Sequence, residues 1–289
     1  MTYISTIKKN GENILLYKSN KPVPELLLTS DEYIKIGFID TETTGINRQT
    51  DKIIELAIKV IKIEKSSGKI ISIEDNYESF NDPHEKLDQK ITQLTGITNK
   101  MLNGKEINWT RVNEILNNTD LIVAHNASFD RAFIDRESRI SSNSVWACSV
   151  RDIDWLSRGF PSSKQELLCH WHGFYFVAHR AMNDVDALIH LLTHKHYDLC
   201  SLQRPVTELI NNSAKQSYTI FADNFSYNAF KKDKIKNNGY RWNNKEKIWR
   251  KKVDADELDD EKRWLAEAIY DDTFKGRVEK LNIIDKYKT

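Results

Sequence analysis

An α/β fold is predicted by three features of this chain. Apolar, largely β-branched runs occupy Ile34 to Asp40, Lys52 to Ile63 and Ile70 to Phe80; segments of helical spacing then alternate with a short apolar strand; and the composition turns basic and aromatic beyond Ser217. Together they describe a sheet flanked by helices with a small α/β appendage at the C-terminus.

The elements follow in chain order. Ile34 to Asp40 reads as a short buried strand because its apolar residues stop at a Thr-Glu-Thr-Thr-Gly turn, which leaves acids at the strand's C-terminal end. Lys52 to Ile63 puts Ile54, Leu56, Ile58 and Val60 on one face, with Glu55, Lys59 and Lys62 largely elsewhere. Ser66 to Lys69 is a hairpin turn into Ile70 to Phe80, so the sheet starts with antiparallel pairings. Leu87 to Leu94 and Ile107 to Leu116 have helical spacing, Leu121 to Ala124 is a strand, and helices over Ser163 to His172 and Arg180 to Leu192 close the unit. Its limits fall at 31 and 200, with 1–30 as an N-terminal arm, 201–217 as a linker rich in turn formers, and 218–289 as a small basic, aromatic C-terminal domain. In that domain Gly239 to Trp242 and Ile248 to Lys251 read as two strands around a polar turn, and Asp254 to Glu261 supplies acids to the start of a following helix.

The chain has 289 residues with 43 Lys and Arg against 42 Asp and Glu, so no uniform field draws in a polyanion and any such attraction is local. From Phe221 to Lys252 ten Lys and Arg stand against three acids, interleaved with Tyr227, Phe230, Tyr240, Trp242 and Trp249. That stretch fits a nucleic-acid platform and a solvated surface over a small core equally well. Three cysteines without close spacing, and no signal-length or membrane-length apolar run, lead us to expect a cytoplasmic protein without a membrane partner.

The chemistry gathers on acids. In a strand, residues two apart share a side, so Asp40 and Glu42 can bind one cation together if strand geometry persists past Ile39. Asp130 and Asp184 fall in the first turns of two helices. Each acid alone has a capping or helix-dipole explanation. Brought together in a partly desolvated cleft, four carboxylates repel, and divalent cations with oxygen ligands, Mg²⁺ or Mn²⁺, are the economical way to keep them ionised. Two such ions can cut a phosphodiester bond. His179, five positions before Asp184, can take a proton from an attacking water.

In combination, Phe38 to Gly45 (Phe-Ile-Asp-Thr-Glu-Thr-Thr-Gly), Val123 to Asp130 (Val-Ala-His-Asn-Ala-Ser-Phe-Asp) and His179 to Asp184 (His-Arg-Ala-Met-Asn-Asp) resemble the three motifs of the DEDDh-type DnaQ-like 3′-to-5′ exonucleases, over roughly Tyr33 to Leu192. The resemblance implies a ribonuclease H-like fold with a mixed five-stranded sheet. It also implies two Mg²⁺ or Mn²⁺ ions on Asp40, Glu42, Asp130 and Asp184, and His179 as general base. It makes Thr43 and Ile46 candidate substrate contacts, and leaves Asn126 open between orienting its loop, touching phosphate and capping a helix. Thr95-Gly96-Ile97-Thr98 departs from the family, which usually has histidine at the Thr95 position.

The expected function is hydrolysis of terminal phosphodiesters at DNA 3′ ends, single-stranded or frayed, releasing nucleoside 5′-monophosphates in proofreading or repair. RNA 3′-end trimming and non-catalytic nucleic-acid binding are the alternatives. Two further patterns carry less. Cys169, His170, His172, His190, His194, His196 and Cys200 lack a paired zinc motif, and Gln216 to Phe221 lacks the aliphatic residue of a sliding-clamp peptide and reads as a plain strand.

Overall fold

The computed structural model describes residues 9–10, 13–19, 21–25, 32–199 and 202–289. Contacts divide the chain into one compact unit over 1–213 with 287–289 and a second over 214–286.

In the first unit, β1 (Lys9–Asn10), β2 (Asn13–Ile14) and β3 (Tyr17–Lys18) precede β4 (Tyr33–Thr43), β5 (Ile53–Glu64) and β6 (Ile70–Phe80). There follow α1 (Gln89–Thr95), α2 (Asn99–Leu102), α3 (Trp109–Asn117), β7 (Leu121–Ala124), α4 (Ser128–Glu137), α5 (Arg139–Asn143) and β8 (Trp146–Cys148). The unit continues with α6 (Gln165–Trp171), β9 (Phe174–Tyr175), α7 (Ala181–Leu192), a 3₁₀ turn (Lys195–Leu199) and α8 (Pro205–Ser213). The main sheet has the order β6-β5-β4-β7-β8, antiparallel through the first three strands and parallel from β4 to β8. This is the mixed five-stranded, ribonuclease H-like sheet that the sequence predicted.

Helices cover both faces, which is why β5 is buried almost throughout. Ile36, Phe38, Ala57, Ile61 and Ile63 pack with Leu168 of α6, Leu188 of α7 and Leu209 of α8. Ile39, Leu56, Ile58 and Val60 pack with Val112 and Ile115 of α3 and Phe133 of α4. The alternation along β4 thus sends even-numbered residues toward α7 and odd-numbered ones toward α4. That assignment decides where each acid goes.

Two sequence expectations need correction. The stretch 201–217, read as a linker, contains α8, because Pro205 suits a first helical turn and Val206, Leu209 and Ile210 fall on one face that is buried in the core. At the tip of the β5–β6 hairpin Gly68 has φ 71°, and a Cβ there would stand 2.7 Å from Val206, so the tight turn and its approach to α8 both require glycine. Part of 1–30, read as an arm, is joined to the rest of the first unit, whereas β1 and β2 pair with each other. Tyr17 pairs in parallel with Phe174, Glu25 N donates to Ile70 O, and the Glu25 carboxylate joins Arg204 at 2.6 Å.

The second unit contains β10 (Ser217–Ala222), α9 (Ala229–Asn237), β11 (Arg241–Asn243), β12 (Ile248–Asp254), α10 (Leu258–Ile269), β13 (Arg277–Lys280) and a 3₁₀ turn (Ile283–Asp285). Its antiparallel sheet has the order β11-β12-β10-β13. Ile220, Trp249 and Val253 form its core with Ile235 of α9 and Leu265 and Ile269 of α10. Gln216 to Phe221 is largely a plain strand, as expected. Among the described residues no helix is long and apolar enough to cross a membrane.

Candidate active site

β4 stays extended through Thr43, past the end of its apolar run, so Asp40 and Glu42 do project to one side. That side is the α7 side. Asp184, in the first turn of α7, meets them there, and one carboxylate oxygen from each of Asp40, Glu42 and Asp184 lies within 4.8 Å of the others. Among the described residues this is the one cluster of His, Cys, Asp or Glu side chains with metal-ligand spacing.

Asp130 reaches the strand end from the opposite face. It is buried in the first turn of α4, and its Oδ1 accepts from Thr41 N at 3.0 Å and Thr41 Oγ1 at 2.8 Å. The structure therefore brings three of the four predicted acids together and sets the fourth against the peptide between the first two. His179 is half-buried in the loop before α7, with a left-handed φ of 63°. The turn out of β4 is closed by Thr43 Oγ1 donating to Gly45 O at 2.6 Å, while Ile46 is 86% exposed and unused by any core. A Cβ on Gly45 would lie 2.4 Å from Asp51 Oδ2, so the loop's return toward β5 demands glycine. Asn126 is exposed with φ 70°; its carbonyl accepts from Phe129 N, and its side chain caps nothing.

The acids of this cluster hold their protons more tightly than free carboxylates do. Burial, followed by the charges of Asp130, Asp184, Glu42 and Glu55, holds Asp40 well above the usual carboxylate range. Glu42 is pushed up to about 8 by burial first and then by Asp184, Glu55 and Asp130. Burial also raises Asp130 despite the opposing Thr41 donors, and raises Asp184 despite the N–H groups of Arg180 and His179. A donor set of oxygens alone, each destabilised as an anion by burial first and by neighbouring charge second, fits hard divalent metal ions.

Residues that sequence reasoning left aside hold the site in place. Glu55 lies opposite Glu42 in the β4–β5 register and is fully buried. It accepts from Arg180 Nε at 3.1 Å, Arg180 Nη2 at 3.0 Å and Ala181 N at 3.0 Å, which clamps the start of α7 to the sheet. Lys59, further along the same face, pairs with Asp186 one turn into α7. Arg180 N in turn donates to Asp184 Oδ2 at 3.1 Å. The visible signal for this clamp was charge at Glu55 and Lys59, on one face of a largely apolar strand. Thr95 has a scaffold role: its Oγ1 donates to Ile91 O and accepts from Ile97 N, closing the end of α1.

The histidine-rich region is not arranged as a metal centre. His172 Nδ1 bonds Leu168 O at 2.6 Å and its Nε2 bonds Tyr197 Oη at 2.7 Å, while His190 and His194 each place Nε2 3.0 Å from Tyr17 Oη. Cys169 is buried and free, and Cys200 lies outside the described residues.

Residues 38–192 match the family model described as exonuclease. The chain belongs to this family, as a member of the DnaQ-like 3′-to-5′ type whose three motifs it carries. It is 37% identical over 166 residues to the PolC-type DNA polymerase III of Halalkalibacterium halodurans and 34% identical over 168 residues to that of Staphylococcus aureus; each match covers 53% of this chain and 11% of the polymerase. The chain thus spans about a tenth of the length of the curated relatives it matches. Among solved structures, it is similar to exonuclease X in complex with 5′ overhanging duplex DNA, with a TM-score of 0.43 and 20% identity over 60% of this chain and 99% of that one.

Proposed function

We propose that this protein removes nucleotides one at a time from DNA 3′ ends, single-stranded or frayed, with Mg²⁺ or Mn²⁺ held by Asp40, Glu42, Asp130 and Asp184. The observation that carries the reading is the meeting of the Asp40, Glu42 and Asp184 carboxylates within 4.8 Å, with Asp130 anchored beside them on Thr41. When bound, two divalent cations supply a lowered pKa for water and compensation for charge developing on the leaving oxygen.

The chain's own residues do the rest. His179 takes the proton of the attacking water, a role open to a neutral imidazole in the loop before α7. The Glu55–Arg180 clamp sets the depth of α7 and with it the positions of Asp184 and His179. Ile46, exposed on a loop tightened by Thr43 and Gly45, offers an apolar edge to the terminal base, and Asn126 offers an amide to phosphate. The product is a nucleoside 5′-monophosphate. Proofreading or repair is the setting suggested by the polymerase relatives.

An end-labelled oligonucleotide tests this directly. Shortening from the 3′ end with Mg²⁺ or Mn²⁺, abolished by chelation and by Asp40→Ala with Glu42→Ala, is the expected result. Retained activity in the double variant would remove the assignment of the site. Faster loss of an RNA of the same sequence would replace DNA with RNA as the polymer.

A further inference from the structure

The second unit carries a line of three arginines, two of which its own fold does not neutralise. Register places Arg241 of β11 opposite Arg250 of β12, Arg250 opposite Phe221 of β10, and Phe221 opposite Arg277 of β13. Directly opposed residues in antiparallel strands point to the same side, so one row crosses all four strands. Its neighbours along the strands, Trp249, Ile220 and Val278, belong to the core with α9 and α10. The row therefore lies on the face of the sheet turned away from both helices.

All three arginines are exposed, and Phe221 is buried beneath them, with the Arg277 guanidinium 4.1 Å from its ring centroid. Arg277 has acidic company in Asp223 and Glu279. Arg241 and Arg250 have no acidic partner among the described residues, whereas the helix side is rich in pairs such as Lys251 with Glu261 and Arg263 with Asp260. Two like charges directly opposed across a strand pair destabilise a sheet. An arrangement of this kind suits a surface that meets an external polyanion, because guanidinium groups bond phosphate bidentately and stack on bases.

We propose that this arginine row binds the backbone of single-stranded DNA. The row itself is carried by strands, without a helix or ribbon protruding from it to enter a duplex groove, and it accepts a splayed strand. The turn near Asp285 meets this face one row along, where Lys252 Nζ donates to Asp285 O and Lys286 O. The row crosses three inter-strand spacings, about 14 Å at ~4.8 Å each, enough for a few nucleotides. The choice of DNA as the polymer rests on the function proposed above; the binding does not depend on cleavage.

The test uses the full chain with Asp40→Ala and Glu42→Ala, in chelator, and a fluorescein-labelled oligodeoxythymidylate read by anisotropy. Adding Arg241→Ala with Arg250→Ala is expected to weaken binding at least roughly tenfold and to reduce the slope of log K against log salt by about 1.4, the contribution of two phosphate contacts on a single strand. Lys262→Ala with Arg263→Ala, an equal loss of charge on α10, is expected to change neither quantity. Circular dichroism confirms folding, and Arg241→Gln with Arg250→Gln serves as a second pair should the alanine pair fail to fold. Unchanged binding in the arginine variants, or an equal loss in the α10 control, overturns the surface. Tighter binding of an oligouridylate overturns the choice of DNA. Because the measurement excludes metal and turnover, a failure here is distinct from absence of metal-dependent shortening by the unaltered chain.

Discussion

The first unit contains two crowded clusters of titratable side chains, and they are built on opposite rules. At the C-terminal end of β4, burial first and then neighbouring carboxylates raise the proton affinity of Asp40, Glu42, Asp130 and Asp184, and the nearby Arg180 is already engaged by Glu55. Beneath α6 and α7, His172, His190 and His194 satisfy their ring nitrogens with Leu168 O, Tyr197 and Tyr17. Density of ionisable groups does not by itself mark a site. Charge that the protein leaves uncompensated does, because the fold must tolerate its cost for some return.

The largest effect expected from this contrast is on turnover. Asp184→Ala should lower nuclease activity on the order of 10⁴-fold, as when one member of a catalytic unit is removed, while the metal-free protein melts no lower than the unaltered chain because one repelling charge has gone. Gel assays and thermal melts in chelator check both halves. Tyr17→Phe should do the reverse, leaving turnover unchanged while lowering the melting temperature.

Next comes Arg180→Ala, which leaves Glu55 buried without its partner and should cost about 3 kcal/mol in urea unfolding, along with most of the activity. Adding Glu55→Gln should restore much of the stability and little of the activity, which would separate the clamp's structural effect from its positioning of His179 and Asp184.

The pH dependence of stability should differ in sign between the clusters. Glu42 binds its proton more tightly folded than unfolded, with a value raised from 4.5 to about 8, so its contribution is present at low pH and is lost as pH rises through that window. Burial lowers His172 and His194 from 6.5 to about 3, so their contribution is present above pH 6.5 and is lost as pH falls toward 3. In chelator the melting temperature should therefore fall on the alkaline side of neutrality as well as in acid, and saturating Mn²⁺ should abolish the alkaline fall alone.

The smallest effect expected is that of Tyr17→Phe itself. Its hydroxyl lies within 3.0 Å of both His190 and His194, so its loss should cost about 1 kcal/mol by chemical denaturation. A much larger loss would mean that the histidine cluster depends on this residue more than a shared hydrogen bond allows.

Much of the acidic site was legible in the sequence because it depends on short-range pattern. The apolar stop at Ile39, the two-residue spacing of Asp40 and Glu42, and Asp130 and Asp184 at helix starts are all local facts, and the structure keeps each. What escaped was non-local. Glu55 and Lys59 sit in a strand buried on both faces, where alternation cannot tell a solvent side from a second core, so their pairing with α7 was hidden. The β8 and β13 strands, three and four residues long, carry too few positions for a period. α8 was obscured by Asn211, Asn212 and Ser213, turn formers that here only end a helix whose buried face is Val206, Leu209 and Ile210.

The clamp between β5 and α7 has a consequence for how the protein comes into being. Asp40 and Glu42 leave the ribosome well before Asp184 and the two residues that fasten its helix, Arg180 and Asp186, which emerge only after most of the first unit has been made. Loop closure over so long a separation comes late in folding. A nascent or truncated chain lacking α7 would thus carry the first acids of the motif but no assembled cleft, and it would cut nothing until α7 locked onto the sheet.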